Sequence, residues 1–253
     1  MARIQAYNDG FSFGDSGLHR IPYDGNTFVR EPGRFGARYL DESSIIHKGF
    51  DLLYGSFTYG DKIAPSSGTV TRYDHSFSGG RLDFRITGLS IDIKEFTKVI
   101  LTDTKSDDVA LLRSALSGDD VMIGGAFGDS FSGYAGNDLI IGRGGRDIVS
   151  GGAGDDTFLF GKVSDSAPDR RDTIKDFKRG EDKIDLYRID ADQDGTAGNQ
   201  AFKFIGGKAF TGRDGELRFS GGSVYGDVSG DKVADFAIKV AGLKALAASD
   251  FVL

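Results

Sequence analysis

GDDVMIGGAFGDSFSGYAGNDLIIGRGGRDIVSGGAGDDTFL, residues 118–159, repeats every nine residues. Aspartate returns at Asp120, Asp129, Asp138, Asp147 and Asp156. Two places after each stands an apolar residue: Met122, Phe131, Ile140, Val149 and Phe158. Gly124, Gly133, Gly142 and Gly151 open the full repeats, and Gly118, Gly136, Gly145 and Gly154 stand two places before an aspartate. A short fixed period signifies one structural unit stacked on itself.

Each part of the unit has a physical task. Glycines reach backbone angles closed to other residues, so six residues can turn tightly with carbonyls pointing inward. Gly125 and Gly152 fill the second glycine place, and Asn137 stands beside its aspartate. Carboxylate and carbonyl oxygens are hard ligands of the kind calcium accepts, six to eight at a time in loose geometry. The three residues after each turn alternate out, in, out, which sends one apolar side chain per repeat into a narrow core. The period therefore predicts a parallel β-roll with Ca2+ between stacked turns. A flexible glycine-rich linker would have no need of an apolar residue in phase.

The repeats resemble the nonapeptides of RTX proteins, whose pattern is G-G-x-G-x-D-x-apolar-x. The resemblance implies calcium ligation by the turn glycines and aspartates named above, with Gly125, Asn137 and Gly152. Three positions depart from it. Phe127 replaces the inner glycine of its repeat, and Tyr134 and Arg143 occupy second-glycine places.

Charge placement agrees. The 253 residues carry a net charge of −7, and residues 118–159 hold seven acidic groups against two basic ones. Such close carboxylates repel one another unless a cation lies between them. The acidic balance argues against nucleic-acid binding. There is no cysteine, hence no disulfide and no thiolate nucleophile. No apolar run reaches transmembrane length. MARIQAYNDGFSFG, at the start, lacks the basic-then-apolar form of a cleavable signal peptide. Weak calcium sites nevertheless need extracellular calcium, so export by a signal elsewhere is the expectation.

Residues 1–106 read as a β-rich N-terminal domain. TVTRYDHSF (69–77) and RLDFRITGL (81–89) flank Ser78–Gly80 as a hairpin, and DLLYGSFTY (51–59) is a further strand. Residues 107–117 read as a helical cap or linker onto the roll. After Leu159 the period stops. Residues 160–253 resemble the C-terminal module of the serralysin family of secreted metalloproteases. The motifs that carry this are D-T-I-x-D-F (172–177), G-E-D-K-I-D-L (180–186), N-Q-A-F-x-F-I-G (199–206), A-F-T-G-x-x-G-E-L-R (209–218), G-D-V-x-G-D-x-x-A-D-F (226–236) and A-S-D-F-V-L (248–253). The resemblance implies that Asp172 and Asp182 close the last calcium sites, and that a type I secretion transporter reads the C-terminal segment.

Two further acidic groups read as turns. Asp190-x-Asp192-x-Asp194-Gly195 begins like an EF-hand loop, but its twelfth position is Ala201, where a bidentate Glu is required. Asp227-x-Ser229-x-Asp231 with Asp235 is similar.

No catalytic constellation stands out. Zinc proteolysis of the serralysin kind needs H-E-x-x-H, and His19, His47 and His75 are isolated. There is no G-x-S-x-G, and no spacing selects a carboxylate pair among Glu31, Asp41, Glu42 and Asp51. We read the chain as a secreted, mainly β, calcium-binding RTX protein of a Gram-negative bacterium that folds on meeting calcium and binds extracellular polysaccharide or matrix. The aromatics Tyr54, Phe57, Tyr59, Tyr73 and Phe77, with Arg72 and Arg85, are its candidate recognition surface. A polysaccharide hydrolase or lyase, and a secretion module for a partner chain, are the alternatives.

Overall fold

A computed structural model describes residues 3–6, 28–31, 34–40, 48–59, 65–76, 82–92, 94–95, 105–192, 195 and 197–253. Its centre is the roll. Five short strands follow the repeats: β7 (Val121–Ile123), β8 (Ser130–Ser132), β9 (Leu139–Ile141), β10 (Ile148–Ser150) and β11 (Thr157–Leu159). They alternate between two sheets. β7 pairs in parallel with β9, and β9 with β11. β8 pairs in parallel with β10 on the other side. Two nonapeptides therefore make one coil, and a residue lies above its counterpart eighteen positions away.

The coil continues past the last nonapeptide. β12 (Asp172–Ile174) stacks on β10, and β13 (Lys183–Asp185) stacks on β11. Met122, Phe131, Ile140, Val149, Phe158, Ile174 and Ile184 form the core, all buried. They are the apolar residues that the period places inward, extended by one per added strand. A core one side chain wide buries little apolar area for the backbone it orders. The turns must supply the remainder.

Chain segments from both ends close the roll. β14 (Lys203–Phe204), β15 (Glu216–Ser220), β16 (Ser223–Asp227) and β17 (Phe236–Val240) extend one sheet, with β15–β16–β17 antiparallel and β17 parallel to β12. The last strand, β18 (Phe251–Val252), pairs in parallel with β13. At the other end, β1 (Arg3–Ala6) lies parallel to β7, with Ile4 opposite Met122. The helix α1 (Lys105–Ala115) and the residue that follows it place Leu112 and Leu116 in the buried core.

Beyond β1 the same sheet runs on antiparallel through β6 (Leu82–Asp92), β5 (Pro65–Ser76), β4 (Lys48–Tyr59), β3 (Arg34–Leu40) and β2 (Phe28–Glu31). The predicted hairpin is the β5–β6 pair, and the predicted strand 51–59 lies within β4. The side chains of Tyr54, Phe57, Tyr59, Tyr73, Phe77, Arg85 and His75 lie outside the described residues, as do His19, His47, Glu31, Asp41, Glu42 and Asp51. The mainly β fold with a parallel roll is as predicted.

Candidate metal centre

Each repeat aspartate stands just ahead of its strand, so the eighteen-residue coil sorts them into two files. Asp120, Asp138, Asp156 and Asp182 form one file. Asp129, Asp147 and Asp172 form the other. All seven are buried. Within a file each carboxylate reaches back one coil. Asp138 Oδ1 accepts the backbone N–H of Asp120 at 2.9 Å, Asp156 Oδ1 that of Asp138 at 3.0 Å, and Asp182 Oδ1 that of Asp156 at 3.0 Å. In the second file Asp147 Oδ1 accepts from Asp129 at 2.7 Å and Asp172 Oδ1 from Asp147 at 2.8 Å.

The second oxygens differ. Oδ2 of Asp138, Asp147, Asp156 and Asp172 is buried and receives no hydrogen bond. A buried carboxylate oxygen with no donor is costly unless a cation or a proton meets it. The electrostatics agree. Burial pushes the Asp138 and Asp147 carboxyls up to about 7, Asp156 to about 6 and Asp172 to about 8, and neighbouring carboxylates push the same way. Asp182 is also raised by burial, against hydrogen bonds from Lys178 and Asp156.

The glycines explain themselves by what a side chain would strike. A Cβ on Gly133, Gly142 or Gly151 would collide with Oδ2 of Asp138, Asp147 or Asp156, five residues on. A Cβ on Gly124 would strike the Gly142 carbonyl and Asp129 Oδ2. One on Gly136 or Gly154 would strike the backbone of Gly118 or Gly136 in the adjacent coil, and one on Gly152 the backbone of Tyr134. Gly136, Gly145 and Gly154 also hold φ at 120°, 126° and 127°, the left-handed half of the map. Partnerless hard oxygens beside a space that only glycine leaves open fit calcium. Among the described residues no three acidic or histidine side chains converge. The aspartates come together instead as pairs in adjacent coils, each joined through Oδ1 to the backbone of the coil before.

The departures from the repeat have separate outcomes. Tyr134 and Arg143 adopt φ of 67° and 66°, so the turn keeps its shape despite the side chains. Such backbone costs roughly 1 kcal/mol or more per residue. Phe127 does not enter the positive-φ region that Gly136, Gly145 and Gly154 occupy, and its side chain is exposed. In that turn the backbone N–H of Gly125 donates to Asp129 Oδ2 at 2.8 Å. The same bond recurs at the far end of the roll, where the Lys178 N–H donates to Asp182 Oδ2. Gly118 has open space where a Cβ would go. Asn137 is exposed, and its Oδ1 accepts the Asp155 N–H while its own N–H donates to Asp119. It is a rung of a surface ladder outside the carboxylate file.

Asp176 was not anticipated. It accepts the Gly151 and Gly152 N–H groups and the Ser150 hydroxyl, and so caps a repeat turn where the following coil is irregular. The second acid of D-T-I-x-D-F is the signal that marks it. Ser166 was also missed; it accepts the Asp172 N–H and donates to the Ala237 carbonyl. In the other acidic clusters the described aspartates bond to local backbone, and Asp194 lies outside the described residues. Asp190 Oδ1 accepts the Asp192 and Gln200 N–H groups, and Asp227 accepts those of Gly230 and Lys232.

Residues 78–253 match the family described as Peptidase M10 serralysin C terminal. The metalloprotease AprA of Pseudomonas entomophila is 35% identical, over 88% of this chain and 51% of that protein. A serralysin of Photorhabdus luminescens is 41% identical, over 65% of this chain and 34% of that protein. The chain thus spans about half the length of these relatives or less. A solution structure of the AlgE6R3 subunit from the Azotobacter vinelandii mannuronan C5-epimerase is 30% identical over 53% of this chain and 73% of that one, with a TM-score of 0.36. No described helix is long and apolar enough to cross a membrane. With the family match spanning the roll and everything after it, the chain belongs to the serralysin C-terminal family of the M10 peptidases.

Proposed function

We propose that the chain is a secreted calcium-binding module that leaves the cell unfolded through a type I transporter and folds when calcium fills the roll. One observation carries the reading: the buried Oδ2 of Asp138, Asp147, Asp156 and Asp172, none of which receives a hydrogen bond. Calcium bound there supplies the positive charge that these oxygens need. The chain's own part is to space the coils through Oδ1, to keep the cradle open with Gly133, Gly142 and Gly151, and to exclude water with the apolar file. A site absent from the unfolded chain turns binding energy into folding energy.

The division of labour in this reading follows the sequence. Residues 118–159 hold calcium, 160–253 complete the roll and carry the export signal, 107–117 join them to the N-terminal strands, and 1–106 carry recognition of extracellular polysaccharide or matrix. Recognition rests on the aromatic and arginine residues of β4–β6 alone. Equilibrium dialysis of the full chain against calcium tests the central reading, and calorimetry with an anionic polysaccharide tests the recognition surface. Absence of bound calcium refutes the first, and absence of heat the second.

A further inference from the structure

The two files end differently. In the nonapeptide turns, the carbonyl at the second place accepts a backbone N–H from the next coil: Gly125 O from Gly144, at 3.2 Å, and Tyr134 O from Ala153, at 3.1 Å. One coil beyond Tyr134, Gly152 holds the same place. Its carbonyl instead accepts the ammonium of Lys178, at 2.8 Å. The terminal carboxylate is also unlike its counterpart. Asp172, which ends its own file, keeps a buried Oδ2 without a donor. Asp182 has both oxygens taken by backbone N–H groups, Oδ1 by Asp156 at 3.0 Å and Oδ2 by Lys178 at 2.7 Å. The same turn is fastened outward, with Arg179 Nε on Asp250 Oδ2 at 3.0 Å and Lys183 Nζ on the Ser249 carbonyl at 2.6 Å.

A cation fixed by the chain and a carboxylate with both oxygens taken by backbone N–H groups distinguish this step from the one that ends at Asp172. We propose that Lys178 is a built-in cation that closes the Asp156–Asp182 step from within the protein, so that this step takes no calcium. The inference rests on the calcium reading of the remaining steps. It departs from the resemblance, which implies that Asp182 closes a calcium site. The ammonium is partly exposed and also faces Glu181 Oε2 at 3.8 Å. Charge alone is therefore screened, and the hydrogen bond to Gly152 O is what seats it.

The test counts calcium bound at saturation by the full chain, using equilibrium dialysis with elemental analysis. Lys178→Met should bind one calcium more than the wild type, because the Gly152 carbonyl is released while Asp156 Oδ2 remains without a donor, and Lys178→Arg should match the wild type. An equal count in Lys178→Met overturns the proposal. Asp182→Asn decides the matter if Lys178→Met does not fold at saturating calcium. An unchanged count in Asp182→Asn supports the proposal, and loss of one calcium overturns it. A wild type that binds no calcium at all refutes the calcium reading itself.

Discussion

Asp138 Oδ1 receives the backbone N–H of Asp120 across eighteen residues, while Asp138 Oδ2, on the same carboxylate, receives nothing from the protein. One oxygen sets the spacing of the coils and the other faces the cradle. Asp156 repeats this arrangement in the same file, and Asp147 and Asp172 in the other. The roll is therefore a stack whose joints are half made by the chain.

Replacing Asp147 removes both halves. Asp147→Ala should lose the bond from Asp129, worth about 1.5–3 kcal/mol for a charged acceptor, together with its calcium contact. Asp147→Asn keeps Oδ1 and should lose the calcium contact alone. Circular dichroism at increasing calcium should show Asn shifted to higher calcium and Ala shifted further. Asp214→Ala, at an exposed position beyond the repeats, should titrate like the wild type. Equal shifts in all three would remove the special role of the file.

Proton and calcium should compete. Burial raises Asp138 and Asp147 to about 7 and Asp172 to about 8, against about 4 in an unfolded chain. The folded, metal-free roll then binds more protons than the unfolded chain. Its stability is fully present below about pH 4 and declines as pH rises through about 7 to 8. Melting in chelator should occur at higher temperature at pH 5 than at pH 8. Calcium needs the ionised carboxylates, so its apparent affinity should rise over the same range with release of protons. Calorimetry in two buffers of different ionisation enthalpy measures that release, and identical heats would contradict it.

Glycine positions should separate sharply. Gly142→Ala puts a methyl group against Asp147 Oδ2, and Gly136→Ala drives one into the Gly118 backbone at a φ of 120°. Both should abolish or strongly weaken calcium-induced folding. Gly118→Ala meets open space and should be tolerated. Comparable behaviour of the three in a calcium titration would mean that the cradle is not shaped by these glycines.

This contrast marks how far the sequence could be read. The nine-residue period located the aspartates, the apolar file from Met122 to Phe158 and the parallel roll. It did not show the surface ladder in which Asn137 joins Asp119 and Asp155. Tyr134 and Arg143 looked like breaks, yet the stack holds them in the left-handed region. Asp176 and Lys178 lie where the period has stopped, so only contacts reveal them. The pairing of β1 with β7 was illegible because four residues, RIQA, carry no periodicity and their partner is more than a hundred residues away.

The end of the chain should do two separable things. β18 adds a strand to β13, and Arg179 pins the buried Asp250 beside it. Arg179→Ala should destabilise the folded module by about 1 kcal/mol, since the arginine is half exposed, and leave export unchanged. Deleting residues 248–253 should trap the protein in the cell. Export of the truncated form through the same transporter would place the signal elsewhere.

The central claim is that calcium folds the roll, and circular dichroism of the full chain in chelator and then in calcium measures it most directly. In chelator at neutral pH, residues 118–190 should contribute little β signal, and added calcium should restore it with a large rise in Tm. A spectrum and Tm that do not change on adding calcium would contradict the account.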